Sequence, residues 1–299
     1  MLSQLFYAGL RTMGITALAR RLRDGGVVLG YHNVIPSEDG ADALGLHLPF
    51  HRFAAQVHWL AGHYDVVPLS ELVRRVGVGG SSAHLAALTF DDGYRGVFDF
   101  AWPLLRDLGL PATVFVVAEA PRRTPFFWWD CPAIAPFADS QRGRWLTEFR
   151  GDQESILLAL GGEAWPAVPE ARRAASWPAI RDAARSGLDI GAHSARHRVL
   201  PLLSDAELRY ETRACREIIE REAGVTPRFF AYPYGLTDRR SREAVREAGY
   251  AGGVTQEGGL ISRGSDPFRL PRVNVPATIS PPAFQAWAAG LGALGVAAA

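Results

Sequence analysis

Short apolar runs alternate along the chain with stretches in which apolar positions recur every three or four residues. The runs are VVLGY at 27–31, LAALTF at 85–90, TVFVV at 113–117, LDIG at 188–191 and RFFAY at 228–232. Continuous apolar runs of this length predict strands buried on both faces, and their alternation with helical patterns predicts βα units around a parallel sheet. Helices are expected over 50–62, 98–109, 177–187 and 204–223. The last opens on Ser204 and Glu207, spaced as a capping box, and stops at Gly224 just ahead of Pro227.

Residues 121–175 break the rhythm with several prolines, the aromatic cluster FFWWD at 126–130 and a helical patch near 155–160. This reads as an insertion over one face of an α/β barrel, where loops after the strands carry the chemistry. The expected organisation is a helix over 1–24, one barrel domain over 25–280 and a terminal helix or tail over 281–299.

Composition narrows the possible partners. Lys plus Arg number 32 against 31 Asp plus Glu, so no overall positive field favours a nucleic acid. Cys131 and Cys215 lie far apart and suggest buried thiols rather than a disulfide scaffold or a zinc knuckle. The first residues carry no positive side chain before Arg11 and do not read as a signal peptide, which points to a cytoplasmic protein. Arg20, Arg21 and Arg23 crowd the end of this amphipathic stretch. Docking on the barrel is its default reading and peripheral membrane contact the sharper one. No window has the length and apolarity of a spanning helix.

Three motifs fall at predicted strand ends. In Thr89-Phe90-Asp91-Asp92-Gly93, adjacent carboxylates on a strand point to opposite sides, so one can hold a metal while its neighbour faces a water. Alone, the motif would be an acidic turn capping the next helix. In His193-Ser194-Ala195-Arg196-His197, two imidazoles four residues apart can converge on one ion, although an isolated pair is more often solvated. Asp92, His193 and His197 together make three ligands with an open position, the composition of a catalytic site. In Phe230-Ala231-Tyr232-Pro233-Tyr234-Gly235, Pro and Gly shape a loop whose N–H groups could face an oxyanion.

TFDDG, HSARH and YPYG, in this order, resemble the three main motifs of the NodB-like polysaccharide deacetylase family over roughly residues 27–275. The resemblance implies a distorted barrel with fewer strands than a TIM barrel and metal-dependent hydrolysis of N-acetyl groups on an amino-sugar polysaccharide or its lipid-linked precursor. It also implies Asp91 as base, Asp92, His193 and His197 as metal ligands, and the Tyr234 N–H as oxyanion donor. The implied cofactor is one divalent ion, zinc first, with cobalt or nickel as alternatives. Ala231 stands where the family often has an Arg that steadies the base, and FRLPRV at 268–273 replaces the segment that often supplies the acid. These departures, with Tyr31-His32 early in the chain, are similar to the branch acting on poly-N-acetylglucosamine and related exopolysaccharides.

His32 follows the first strand, on the rim that carries the other candidates, and is the expected general acid. Trp129, Asp130 and Arg272 are candidate substrate-binding residues. The aromatic cluster around Trp129 reads equally as a sugar-stacking platform or as a hydrophobic plug. Arg272 is also expected to approach Asp91, because Ala231 cannot pair with it. Two rival readings are a hydrolase of a non-sugar or formyl amide, and an inactive sugar-binding barrel. Loss of Asp91 or a ligand would favour the second, and all four are present.

Overall fold

The computed structural model describes residues 2–292 apart from 38–41, 43, 80–81, 124–125, 135–136, 138 and 162–167. Ten strands are present among them: β1 (Val27–Tyr31), β2 (Asn33–Ile35), β3 (His47–Pro49), β4 (Asp65–Val66), β5 (Leu85–Phe90), β6 (Ala112–Val116), β7 (Asp189–Ala192), β8 (Phe229–Ala231), β9 (Gly252–Val254) and β10 (Val273–Asn274). The main sheet runs β10-β1-β5-β6-β7-β8-β9, with β4 also on β5, and every pairing in it is parallel. A single parallel bridge, Val254 to Leu270, joins β9 to the segment leading into β10, so the sheet curls into a distorted barrel. The apolar runs have their physical reason here. All of β1, β5 and β6 is buried, because helices cover one face and the barrel interior the other.

The helices follow the periodic segments, with two kinds of departure. The N-terminal stretch is two helices, α1 (Leu2–Thr12) and α2 (Ile15–Leu22), because Gly14 takes a left-handed φ of 73° between them. The expected helix over 204–223 contains a π turn at Tyr210–Ala214 between the α-helical pieces Asp205–Arg209 and Cys215–Ala223. Another π turn, Val97–Ala101, precedes the helix Trp102–Asp107. The Ser204–Glu207 capping box forms, and Gly224 closes the helix at φ 73°.

Within 121–175 lie the short helices Asp139–Glu148 and Gln153–Ala159 and a 3-10 turn at Trp128–Asp130. The segment returns to the barrel where Ala174 bridges Tyr94. Near the end of the chain the helix Pro281–Ala288 packs on α1, and Trp287 Nε1 donates to the Tyr7 hydroxyl at 3.0 Å. The rest of the expected terminal tail, 293–299, lies outside the described residues. Both cysteines are free and buried.

Candidate metal centre and catalytic cavity

The three motifs meet at the carboxyl ends of β5, β7 and β8, and their backbones share an unusual feature. Five non-glycine residues among those described have positive φ, and four are Asp92 (69°), Ser194 (62°), His197 (59°) and Tyr234 (58°). Left-handed backbone at non-glycine residues is held only where surroundings over-determine it, and it concentrates at functional sites. Gly93 continues the DDG turn at φ 73°, where a Cβ would come within 3.0 Å of Val116.

Asp92, His193 and His197 are buried, and their candidate ligand atoms converge. His193 Nε2 and His197 Nε2 each lie 3.4 Å from Asp92 Oδ1 and 3.2 Å from each other. Ligands about 2.1 Å from a tetrahedral ion stand about 3.4 Å apart, so these spacings match the edges of such a shell. His193 Nδ1 sits 2.8 Å from the Ala231 carbonyl, which can only accept. That nitrogen must therefore carry the proton, leaving Nε2 with its lone pair turned toward Asp92, the usual outer-shell device for a ligating imidazole. Asp92 Oδ1 has no hydrogen-bond partner among the described residues.

The charges at this centre are unevenly paired. Arg272 balances Asp91, whereas among the described residues no Arg or Lys pairs with Asp92, which faces only the two imidazoles. Burial lowers the His193 pKa, but Asp91 and Asp92 outweigh it and raise the net value. Burial, then His193, pushes His197 down to about 3, so His197 stays neutral. A buried carboxylate facing two imidazole nitrogens calls for a shared cation, and the donor set fits a divalent metal ion.

Asp91 is buried and meets Arg272 bidentately, Oδ1 to Nη1 at 2.7 Å and Oδ2 to Nη2 at 2.6 Å. Burial raises the Asp91 carboxyl, yet the Arg272 guanidinium, with His193, overcomes that and holds it well below the usual carboxylate range. Arg272 is itself fully buried. It donates further to the Thr89 hydroxyl at 3.2 Å and the Thr255 carbonyl at 2.9 Å and lies over the Phe115 ring. Arg272 is thus no substrate contact: its donors are consumed inside the protein.

The centre opens into a cavity of about 570 Å³ lined by His32, Asp92, His193, His197, Trp129 and Tyr234, among others. His32 acts electrostatically on Asp91, Asp92 and His197. The Tyr234 N–H has no acceptor among the described residues, and its hydroxyl accepts from Trp128 Nε1 at 3.2 Å. Trp129 reaches the cavity but is 7% exposed; its ring lies 4.6 Å from that of His197, and its Nε1 donates to the Tyr94 hydroxyl at 2.7 Å. Phe127 stacks on Trp129 with ring centroids 4.9 Å apart. Most of the aromatic cluster therefore plugs the insert onto the barrel, and Trp128 and Trp129 present what remains to the cavity.

Asp130 also corrects the sequence reading. Its Oδ1 accepts from His47 Nε2 at 2.7 Å and its Oδ2 from the Tyr94 hydroxyl at 2.7 Å. Asp130 ties the insert to β3 rather than facing substrate. Nothing local in the sequence marks His47, at the start of β3, for this pairing. Sequence reasoning also missed Asn274, Gln256, Arg142 and Trp287, which line the cavity from distant segments. The buried Asn274 Oδ1 has no hydrogen-bond partner among the described residues, a signal that appears only once the chain is folded.

Glu211, in the π turn, supports the HSARH loop. Its carboxylate accepts the Arg196 N–H at 2.8 Å and its carbonyl the Ala195 N–H at 3.2 Å. Burial raises its pKa from 4.5 to about 7 against these hydrogen bonds. Between those values the folded chain binds more protons than the unfolded one, so stability falls as pH rises through the window and levels off above it. The shift corresponds to about 3 kcal/mol. Glu211→Gln should flatten that part of a pH series of denaturant unfolding curves. An unchanged slope would show that Glu211 does not titrate there.

These features define a hydrolase site on a NodB-type barrel. The polysaccharide deacetylase family model matches residues 79–253, and the chain belongs to that family. The Bacillus subtilis (strain 168) protein YxkH is 22% identical over 262 residues, spanning 87% of this chain and 75% of the relative. Among solved structures, IcaB from Ammonifex degensii superposes with a TM-score of 0.64 at 24% identity, covering 90% of this chain and 98% of that one. The Streptococcus pyogenes deacetylase PplD, in complex with acetate, gives 0.62 at 17% identity, covering 86% and 95%. At these identities the structural likeness speaks for the fold, and the family match for a polysaccharide deacetylase enzyme.

Proposed function

We propose that the enzyme removes N-acetyl groups from an amino-sugar polysaccharide or its lipid-linked precursor, using one divalent cation, zinc first, held by Asp92, His193 and His197. The observation that carries this is the convergence of those three buried groups on the cavity wall, with the arginine-locked Asp91 next to Asp92 in the chain. The acetate bound to the fold relative PplD supports an acetyl substrate. We take residues 25–280 as the barrel domain, with the insert at 121–175 shaping its substrate side.

When bound, such a cation polarises the acetyl carbonyl and acidifies a water. Asp91 takes the proton of the attacking water. Arg272 keeps that carboxylate ionised and fixes its direction, so it is always in the form that can accept. The Tyr234 N–H donates to the oxyanion that develops as the water oxygen bonds to the carbonyl carbon. The carbon–nitrogen bond then breaks. The amine cannot leave as an anion, and His32 supplies the proton it needs. The products are acetate and a free amino sugar.

The test is acetate release from N-acetylglucosamine oligomers with and without added divalent metals. Turnover that depends on metal supports the proposal. Release of formate from formylated amides, with none of acetate, would replace it with the formyl-amide reading. Two variants assign the roles. Asp91→Asn should keep its metal and lose turnover, and loss of metal would make Asp91 a ligand. His32→Ala should keep metal and fold while losing on the order of a hundredfold in turnover, the usual worth of a positioned acid. Near-normal turnover would remove His32 from the mechanism.

A further inference from the structure

Thirteen large hydrophobic side chains are exposed among the described residues, and six of them fall between Leu5 and Leu22. In α2, Ile15, Leu18 and Leu22 form a stripe at i, i+3 and i+7 and are 37%, 56% and 74% exposed. The one buried side chain of that helix is Thr16. The helix is inside out, since an amphipathic helix on a barrel normally turns its apolar stripe to the core. On α1, Tyr7 and Leu10 are buried, while Leu5 (66%) and Phe6 (44%) are exposed, and Met13 (68%) is exposed in the turn between the two helices. The arrangement is anchored rather than loose. Arg23 donates to the Ala83 carbonyl at 2.6 Å and the Leu85 carbonyl at 3.1 Å, and Tyr7 accepts from Trp287.

Charge selects what covers this face. The first acidic residue of the chain is Asp24, whereas Arg11, Arg20 and Arg21 precede it. Arg11 and Arg21 are exposed, and neither has an ion-pair partner among the described residues. A symmetric dimer through this face would set like charges against each other. An anionic lipid surface meets both features at once, taking the apolar side chains into the headgroup boundary and the guanidinium groups against phosphate. At 11 and 8 residues the helices are too short to cross a bilayer, and no described helix is long and apolar enough to do so.

We infer that α1 and α2 form an in-plane docking surface for an anionic bilayer. The face is coupled to the catalytic cavity, because Trp287, bonded to Tyr7 of α1, also lines that cavity. The enzyme is thereby placed where lipid-borne glycans are found, and the docking itself does not depend on which amide the site cleaves.

Flotation of the purified chain with lipid vesicles tests this apart from activity. The chain should float with vesicles containing about 30% phosphatidylglycerol, much less with pure phosphatidylcholine, and less again in about 0.5 M salt. Leu18→Ser/Leu22→Ser should weaken partition at least about tenfold while leaving the melting curve and turnover on soluble oligomers unchanged. Arg11→Glu/Arg21→Glu should remove the preference for anionic lipid. The inference falls if the chain does not float with anionic vesicles, or if the Leu18→Ser/Leu22→Ser variant floats as well as the original. It falls equally if ultracentrifugation without lipid shows a dimer that this variant dissociates.

Discussion

Replacing His193 with Ala should cut bound metal from near one ion per chain to a small fraction of that and lower turnover by at least about a thousandfold. The scale follows from the several kcal/mol of transition-state stabilisation that a Lewis-acidic ion supplies. Of the three candidate ligands, His193 has its orientation set by the Ala231 carbonyl 2.8 Å from Nδ1, which fixes both its tautomer and its direction. His197→Ala should behave likewise. Elemental analysis of the purified variants, run beside the acetate assay, reads both quantities. Full metal occupancy in either variant would remove the three-residue centre.

Arg272→Met should be the most destabilising single change in the site, costing about 3 to 5 kcal/mol, because it strands a buried carboxylate without its partner. Arg272 is 0% exposed and holds both Asp91 oxygens. Asp91 removed alone leaves a buried guanidinium, which still has the Thr89 hydroxyl and Thr255 carbonyl. The double variant Arg272→Met/Asp91→Asn should recover most of the lost stability, since it buries no unpaired charge. Chemical denaturation of the four proteins closes the cycle. If the double variant were as unstable as Arg272→Met, the damage would lie in packing against Phe115 rather than in the ion pair.

The parts of the fold that the sequence made legible are those with a local physical signature. VVLGY and LAALTF correspond to β1 and β5 residue for residue, because strands buried on both faces read as unbroken apolar runs. Ser204, Glu207 and Gly224 marked both ends of a helix because caps are short-range chemistry. The centre itself was visible because its motifs are compact. What stayed hidden depends on long-range pairing: His47 with Asp130, and Asn274 and Trp287 at the cavity wall, leave no periodic trace. Arg272 was assigned two roles, and only its burial separates the pairing with Asp91 from a contact with substrate. The π turns were invisible for another reason, since one surplus residue in an amphipathic stretch shifts the pattern no more than ordinary scatter does.

That surplus residue limits how the protein can change its length. A π turn is an α-helix carrying one position too many, and at Tyr210–Ala214 it coincides with Glu211, the residue holding the HSARH loop. Deleting a residue there would restore a regular helix and turn everything on one side by about 100° relative to the other. Either Glu211 would lose the loop, or Cys215–Ala223 would lose its packing phase. Relatives that keep this loop should therefore show insertions and deletions in the insert or at the chain ends, with the spacing between His193 and Cys215 held to the residue.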